Sequence, residues 1–258
     1  MEFLAFRLYG PMASWGDTTL TRRRPTLYAP TKSAISGLLG AAIGLNRDQS
    51  EGFWQSFASS FGMGVKVDHG GRQLLADYHT VFAYKQDEFE PIPPNRKKEV
   101  EVIRSAIKER KEGWGGILST RHYVTDFLAT VLIWKKKEQF PSLKDVQEAL
   151  ICPRYSLYLG RKSCPVALPM EPQVLTADTL VKAFESSRFK SFDFIDFFKD
   201  RYDSVLYWEG DVPLGNAFER ANVPIMTKEW RDTPVSRTSW TFTTRLIKYA
   251  VWPKEVSR

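Results

Sequence analysis

The chain has 258 residues, 43% of them hydrophobic, and 37 lysines and arginines against 30 acidic residues give a net charge of +7 and an isoelectric point near 9.3. That length buries a substantial core in one large or two small domains, and that charge calls for an acidic partner such as nucleic acid or an anionic membrane surface. No run of about 18 apolar residues spans a bilayer, the N-terminal MEFLAFRLYG lacks a basic n-region and a cleavage site, and two cysteines with three scattered histidines make neither a disulfide framework nor a zinc spacing, so a soluble, cytoplasmic protein without metal or cofactor is expected.

Phe3 to Tyr9 alternates, with Leu4, Phe6 and Leu8 on one face, and predicts a first strand that Gly10-Pro11 stops. After the loop TRRRPTLYAP, Thr31 can cap a helix whose Ile35, Leu38, Leu39 and Ile43 fall at helical spacing. Gly37, Gly40, Ala41 and Gly44 give that helix a face almost without side chains, so another backbone is expected close against it. Phe53 to Phe61 extends the helical region. Met63 to Val67 and Gln73 to Tyr84 read as strands around the turn His69-Gly70-Gly71. Phe127 to Trp134 is continuously apolar and reads as a central strand, Ser142-Leu143-Lys144-Asp145 resembles a capping box for a helix through Leu150, and Tyr155 to Leu159 reads as a short strand. This β-α-β-β-α-β order predicts an α+β fold of the ferredoxin-like, RNA-recognition-like type over residues 1–162.

Between the third and fourth strands, at about residues 85–117, the pattern breaks. Pro91, Pro93 and Pro94 precede a segment in which seven basic residues outnumber three acidic ones from Arg96 to Lys111, with Arg96, Lys97, Lys98, Arg104 and Lys108 among them. Its stripe of Val100, Ile103 and Ile107 is too narrow for a core helix, so the segment reads either as a projecting arm ordered on a partner or as a solvated charged loop. Residues 163–258 form a smaller, β-rich C-terminal region, with a helix at Asp178 to Glu185, the aromatic stretch FKSFDFIDFFKDRYDS, and strands near Val205 to Trp208 and Trp240 to Val251.

The residues suited to chemistry are mostly cationic. Arg22, Arg23, Arg24 and Lys32 stand at the mouth of a helix N-terminus, where guanidinium forks and the helix dipole both suit phosphate oxygens. In the turn Gly10 to Gly16, backbone N–H groups and the Ser14 hydroxyl are available to RNA, while Trp15 suits either an unpaired base or the core. Gly160-Arg161-Lys162-Ser163 joins a glycine turn to two cations and a hydroxyl. In RDTPVSRTSWTFTTR, Arg231 suits either phosphate or an ion pair with Asp232, which makes Arg237 the better RNA contact beside Arg245. GLLGAAIG lacks the closing Gly-Lys-Ser/Thr of a phosphate loop and reads as helix packing. His122, with Tyr123 or Lys111, supplies the residue types for metal-independent RNA cleavage, but it precedes an apolar strand, where a structural role is the commoner one. Asp193 and Asp196 lie among phenylalanines and read as packing, not as a paired-carboxylate site.

LYGPMASWG, TRRRPTLYAPTKSAISGLLGAAIG, YSLYLGRKSCPVALP and RDTPVSRTSWTFTTR, taken together and in that order, resemble the CasD family, the subtype I-E members of the fifth CRISPR-associated family within the RAMP superfamily of RNA-binding proteins. The resemblance covers residues 1 to about 248. It implies a noncatalytic Cascade subunit in antiviral defence that caps the 5′ handle of the CRISPR RNA. It also implies contact with a backbone subunit and with the large subunit that reads the protospacer-adjacent motif of target double-stranded DNA, with no membrane involved. The same resemblance implies a β-hairpin thumb where the residues from Arg96 to Lys111 read as helix, and it assigns Ser14, Trp15, Arg22, Arg23, Arg24, Lys32, Arg161, Lys162 and Arg237 to RNA. The alternative is a metal-independent endoribonuclease processing CRISPR repeat RNA, since relatives in another subtype cut precursor RNA.

Overall fold

The structure is a computed structural model that describes residues 1–17, 19, 22–46, 51–70, 74–83, 95–108, 115–193, 195, 203–210, 212–236 and 241–253. It is a mixed α and β architecture dominated by one nine-stranded sheet. At its centre, β1 (Glu2–Ala13) runs antiparallel to both β7 (Gly115–Lys135) and β8 (Gln173–Thr176), and β7 runs antiparallel to β5 (Phe61–His69). The order β8-β1-β7-β5 makes β1 parallel to β5 and β7 parallel to β8, and each parallel pair is joined by helices. The first crossover is α1 (Lys32–Ile43) with α2 (Glu51–Ser59), and the second is α4 (Leu143–Ile151).

Leu4, Phe6 and Leu8 share one core with Ile35, Leu38 and Leu39 of α1, Trp54 and Phe57 of α2, and Val146 and Leu150 of α4. Phe3 and Ala5, pointing the opposite way, share a second core with Leu132 and Trp134 of β7. A strand buried on both faces reads as a near-continuous apolar run, which is why Phe127 to Trp134 has no polar alternation.

The need to cover that second face explains the C-terminal residues. Beyond residue 163 the chain supplies β8 to one edge of the sheet and extends the other with β9 (Val205–Trp208), β11 (Thr241–Val251) and β10 (Met226–Ser236), in the order β5-β9-β11-β10. α5 (Leu180–Ser186), capped by Thr179, and the short α6 (Ala217–Arg220) bring Leu180, Phe184 and Phe218 onto Phe3 and Trp134. The start of the aromatic stretch packs on β1: Arg7, buried there, donates to Lys190 O at 2.7 Å, pairs with Glu171 at 2.6 Å, and lies 5.6 Å from the Phe189 and Phe192 ring centres. Asp193 belongs to this segment, and Asp196 lies outside the described residues.

Local signals account for the helix ends. Thr31 Oγ1 accepts the Ala34 N–H at 3.2 Å and Ser142 Oγ the Asp145 N–H at 3.1 Å. The predicted approach of backbone to the small-residue face of α1 is found at its C-terminal half, where the Arg154 and Tyr155 N–H groups reach the Ala42 and Ala41 carbonyls at 3.0 and 3.1 Å. The expected strand at Tyr155 to Leu159 does not form. Its backbone groups go to α1, to Ser14 and to Cys164, leaving only an isolated bridge between Tyr158 and Pro165. β8 takes its place in the sheet. β10, unforeseen, is an edge strand whose sequence MTKEWRDTPVS carries the charges that edges tolerate.

The upper half of β7 continues past β1 and β5. There it pairs antiparallel with β6 (Leu74–Ala83), from Leu74 opposite Val124 to Ala83 opposite Gly115, and parallel with the short β3 (Arg23–Arg24) at Thr120 and Arg121. Between β6 and β7 lies α3 (Arg96–Lys108), opened by Asn95 Oδ1 accepting the Lys98 N–H at 3.0 Å. The predicted helix and an extended hairpin therefore coexist, while residues 84–94 and 109–114 lie outside the described ones. No helix among the described residues is long and apolar enough to cross a membrane.

Candidate nucleic-acid interface

A cleft of about 720 Å³ opens beside α1, and pieces of all four sequence motifs line it. Ser14 and Gly16 come from the first turn, Arg24, Thr31, Ser33, Gly37 and Ala41 from the basic loop and α1, Ser156, Tyr158 and Gly160 from the third motif, and Arg231, Pro234 and Phe242 from the β10–β11 hairpin. A neighbouring cleft of about 660 Å³ shares Gly37, Ala41 and the 156–158 stretch and adds Asn46 and Lys162. At Gly37 no atom lies where a side chain would project, so the small-residue face of α1 that was expected to pack is in part the floor of this cleft.

Arg22, Arg23 and Arg24 are all exposed, and of the three Arg24 lines the cleft; the Thr120 N–H to Arg22 O bond at 3.1 Å and the β3 pairing hold the segment. That register sets Arg24 opposite Arg121, a half-buried cation the sequence reading passed over because only strand pairing brings the two together. Tyr158 and Phe242 present half-buried aromatic rings to the cleft, and they too were passed over, although both lie inside the motifs.

Three of the expected RNA contacts are instead buried. Trp15 is 1% exposed and meets the Phe127 ring edge-on at 5.1 Å, so it fills the core and has no face for a base. Ser14 is buried: its hydroxyl donates to His122 O at 3.1 Å and accepts from Arg161 Nε at 2.9 Å. Lys32, 3% exposed, donates from Nζ to Phe61 O at 2.5 Å and to Glu209 Oε1 at 2.7 Å over the Phe61 ring. The α1 N-terminus is also occupied, because the Lys32 N–H donates to Asp232 Oδ2 at 2.7 Å, a carboxylate standing where a phosphate was expected.

Lys32 belongs to a network in which Glu209 also pairs with Lys136 and, at 3.3 Å, with Arg245. Arg245 holds Asp232 with two donors, Nε at 2.7 Å and Nη2 at 2.8 Å. Of the two readings of Arg231, the ion pair with Asp232 is thereby not the one found. Asp232, at the register shift between Arg231 and Thr233, is buried against Arg245, while exposed Arg231 donates to Phe242 O at 3.0 Å. Arg237 lies outside the described residues. The network fastens the β10–β11 hairpin, one wall of the cleft, to α1, its floor. Burial would raise the Glu209 carboxyl, but Lys32, Arg245 and Lys136 hold it below the usual range. Burial would lower the Arg245 guanidinium, but Asp232 and Glu209 raise it.

Burial pulls the Lys32 ammonium from 10.5 down to about 8 against the attraction of Glu209. Between those two values the unfolded chain keeps a proton that the folded chain has lost, so the stability from this group grows as pH rises through the window and is lost as pH falls through the lower value. The stability of the wild type relative to Lys32→Met is expected to increase across that window in denaturation at a series of pH values. A pH-independent difference would show that Lys32 titrates normally.

Gly160 has φ +86°, and a Cβ there would fall 1.9 Å from Ser14 O. The turn brings half-buried Arg161 to Ser14, with its guanidinium 5.6 Å from the Tyr123 ring centre, and leaves Lys162 exposed. Gly160→Ala is expected to cost about 1–3 kcal/mol from backbone conformation alone and to displace the loop; an unchanged melting temperature would contradict this. Lys97, Lys98, Arg104 and Lys108 are exposed on α3, and Arg96 is its first residue. They do not line either cleft described above.

Solved structures share this architecture. A chain of a "CRISPR RNA-guided surveillance complex" superposes with a TM-score of 0.60 at 22% identity, covering 99% of this chain and 92% of that one. One described as "Crystal structure of Cas protein" gives 0.58 at 24%, covering 98% and 96%. A sequence profile described as "CRISPR-associated protein (Cas_Cas5)" matches residues 3–245, and the chain belongs to that Cas5 family. It is 33% identical over 176 residues, 66% of this chain and 69% of the relative, to the "CRISPR system Cascade subunit CasD" of Escherichia coli (strain K12).

Proposed function

We propose that this chain is a noncatalytic, RNA-binding subunit of a type I-E Cascade complex in the cytoplasm. It holds the 5′ handle of the CRISPR RNA in the cleft beside α1 and joins the backbone to the large subunit that engages target double-stranded DNA. The observation that carries this reading is the convergence of four motifs, separated along the sequence, on one cleft that Arg24 lines, with Arg22 and Arg23 exposed next to it in the chain. In this reading the β8-β1-β7-β5 core is ferredoxin-like, and the β6–α3–β7 excursion is the thumb, with exposed Lys97, Lys98, Arg104 and Lys108 for RNA or a neighbouring subunit. Phosphates lie on the arginines, and splayed bases lie against Tyr158 and Phe242.

The noncatalytic part is supported by β7 itself. His122 and Tyr123 are consecutive on one strand and face opposite ways, so they do not converge on one phosphodiester, and Lys111 lies outside the described residues. Competition binding at physiological salt tests the reading. The repeat-derived 5′ end is expected to outcompete a scrambled RNA of equal length, and equal affinities would reduce the protein to a general polyanion binder. Repeat RNA incubated with the protein in EDTA is expected to stay intact, whereas a discrete cut abolished by His122→Ala would establish the endoribonuclease instead.

A further inference from the structure

Arg161 is held in an unusual way for a half-exposed cation. Ser14 is 2% exposed, and its single hydroxyl proton goes to His122 O at 3.1 Å, which turns its lone pairs to Arg161 Nε at 2.9 Å. The Ser14 N–H donates to Leu159 O at 3.0 Å, fixing the distance between the two loops, and the guanidinium carbon lies 5.6 Å from the centre of the buried Tyr123 ring. The guanidinium is planar, so fixing Nε and one face also fixes the edge that carries Nη1 and Nη2. No protein acceptor among the described residues takes either of those nitrogens.

We infer that Arg161 binds a single RNA phosphate through Nη1 and Nη2, and that Ser14 is the positioning residue that presents it. Two parallel N–H donors on a fixed edge match two phosphate oxygens, and the side-chain freedom an unrestrained arginine gives up on binding has here been given up on folding. Ser14 thus acts on RNA only through Arg161. The inference rests on the RNA-binding reading of the cleft but is separable from it.

The affinity of the protein for a single-stranded RNA carrying the repeat-derived 5′ end, measured over a salt series, tests it. Arg161→Ala is expected to lower the log-log salt slope by about 0.7, the value of one single-strand phosphate contact. Ser14→Ala is expected to weaken binding roughly fivefold, the scale of one lost hydrogen bond. It should have no further effect in an Arg161→Ala or an Arg161→Lys background, because lysine has no Nε edge for Ser14 to hold. A merely structural Ser14 would weaken binding equally in all three backgrounds, which would overturn the positioning role. An unchanged slope in Arg161→Ala would overturn the phosphate contact, and that half-exposed position keeps the test decisive should Ser14→Ala fail to fold. In either case the wild-type preference for the repeat-derived end would stand; if the wild type shows no such preference, the inference falls with the reading it rests on.

Discussion

The Glu209→Gln substitution is expected to lower the unfolding free energy by about 3–5 kcal/mol, the range found when one partner of a buried ion pair is removed. Glu209 receives Lys32 at 2.7 Å, Lys136, and Arg245 at 3.3 Å, with its side chain 11% exposed. A neutral amide in its place leaves three cations facing Asp232 alone. Lys32→Met is expected to cost far less at neutral pH, since it leaves Lys136 and Arg245 against Glu209 and Asp232, two charges of each sign. Denaturant unfolding of both variants distinguishes the cases, and a loss below about 1 kcal/mol in Glu209→Gln, the scale of an exposed pair, would mean that the hairpin is fastened by something else. Because this network joins α1 to β10–β11, RNA binding is expected to weaken in Glu209→Gln even at temperatures where the sheet remains folded.

Replacing Arg22, Arg23 and Arg24 together with alanine is expected to reduce the salt slope of handle binding by about 2, three contacts at roughly 0.7 each. The part of the affinity that the wild type loses between 50 and 200 mM salt on account of these contacts, roughly fifteenfold for a slope of that size, should vanish in the variant. All three side chains are exposed, so stability should change little. An unchanged slope with unchanged affinity would move the RNA off these arginines.

Much of the frame was legible because its signals are local. Thr31, Ile35, Leu38 and Leu39 lie within about two turns of one another, and a cap with an apolar spacing is a property of that segment alone. The apolar run in β7 identified the sheet's interior in the same way. β8 and β10 were not legible: QVLT is four residues long, and MTKEWRDTPVS is charged because it lies at an edge, so neither carries a strand pattern apart from its partners.

The sequence by itself determined that this is a basic protein with a capped, small-residue helix, an apolar central strand and four motifs bearing arginine, hydroxyl and aromatic groups in a family's order. Only the tertiary structure decided which of those groups face solvent. Arg24 and Lys32 are both cations flanking the start of α1, yet Arg24 lies on a rim beside Arg121, while Lys32 turns inward to a carboxylate 177 positions away. Trp15 has the chemistry to stack on a base and packs on Phe127 instead. Exposure depends on partners that folding brings from distant parts of the chain, and the chemistry of a residue type becomes a function only where those partners leave it open to a ligand.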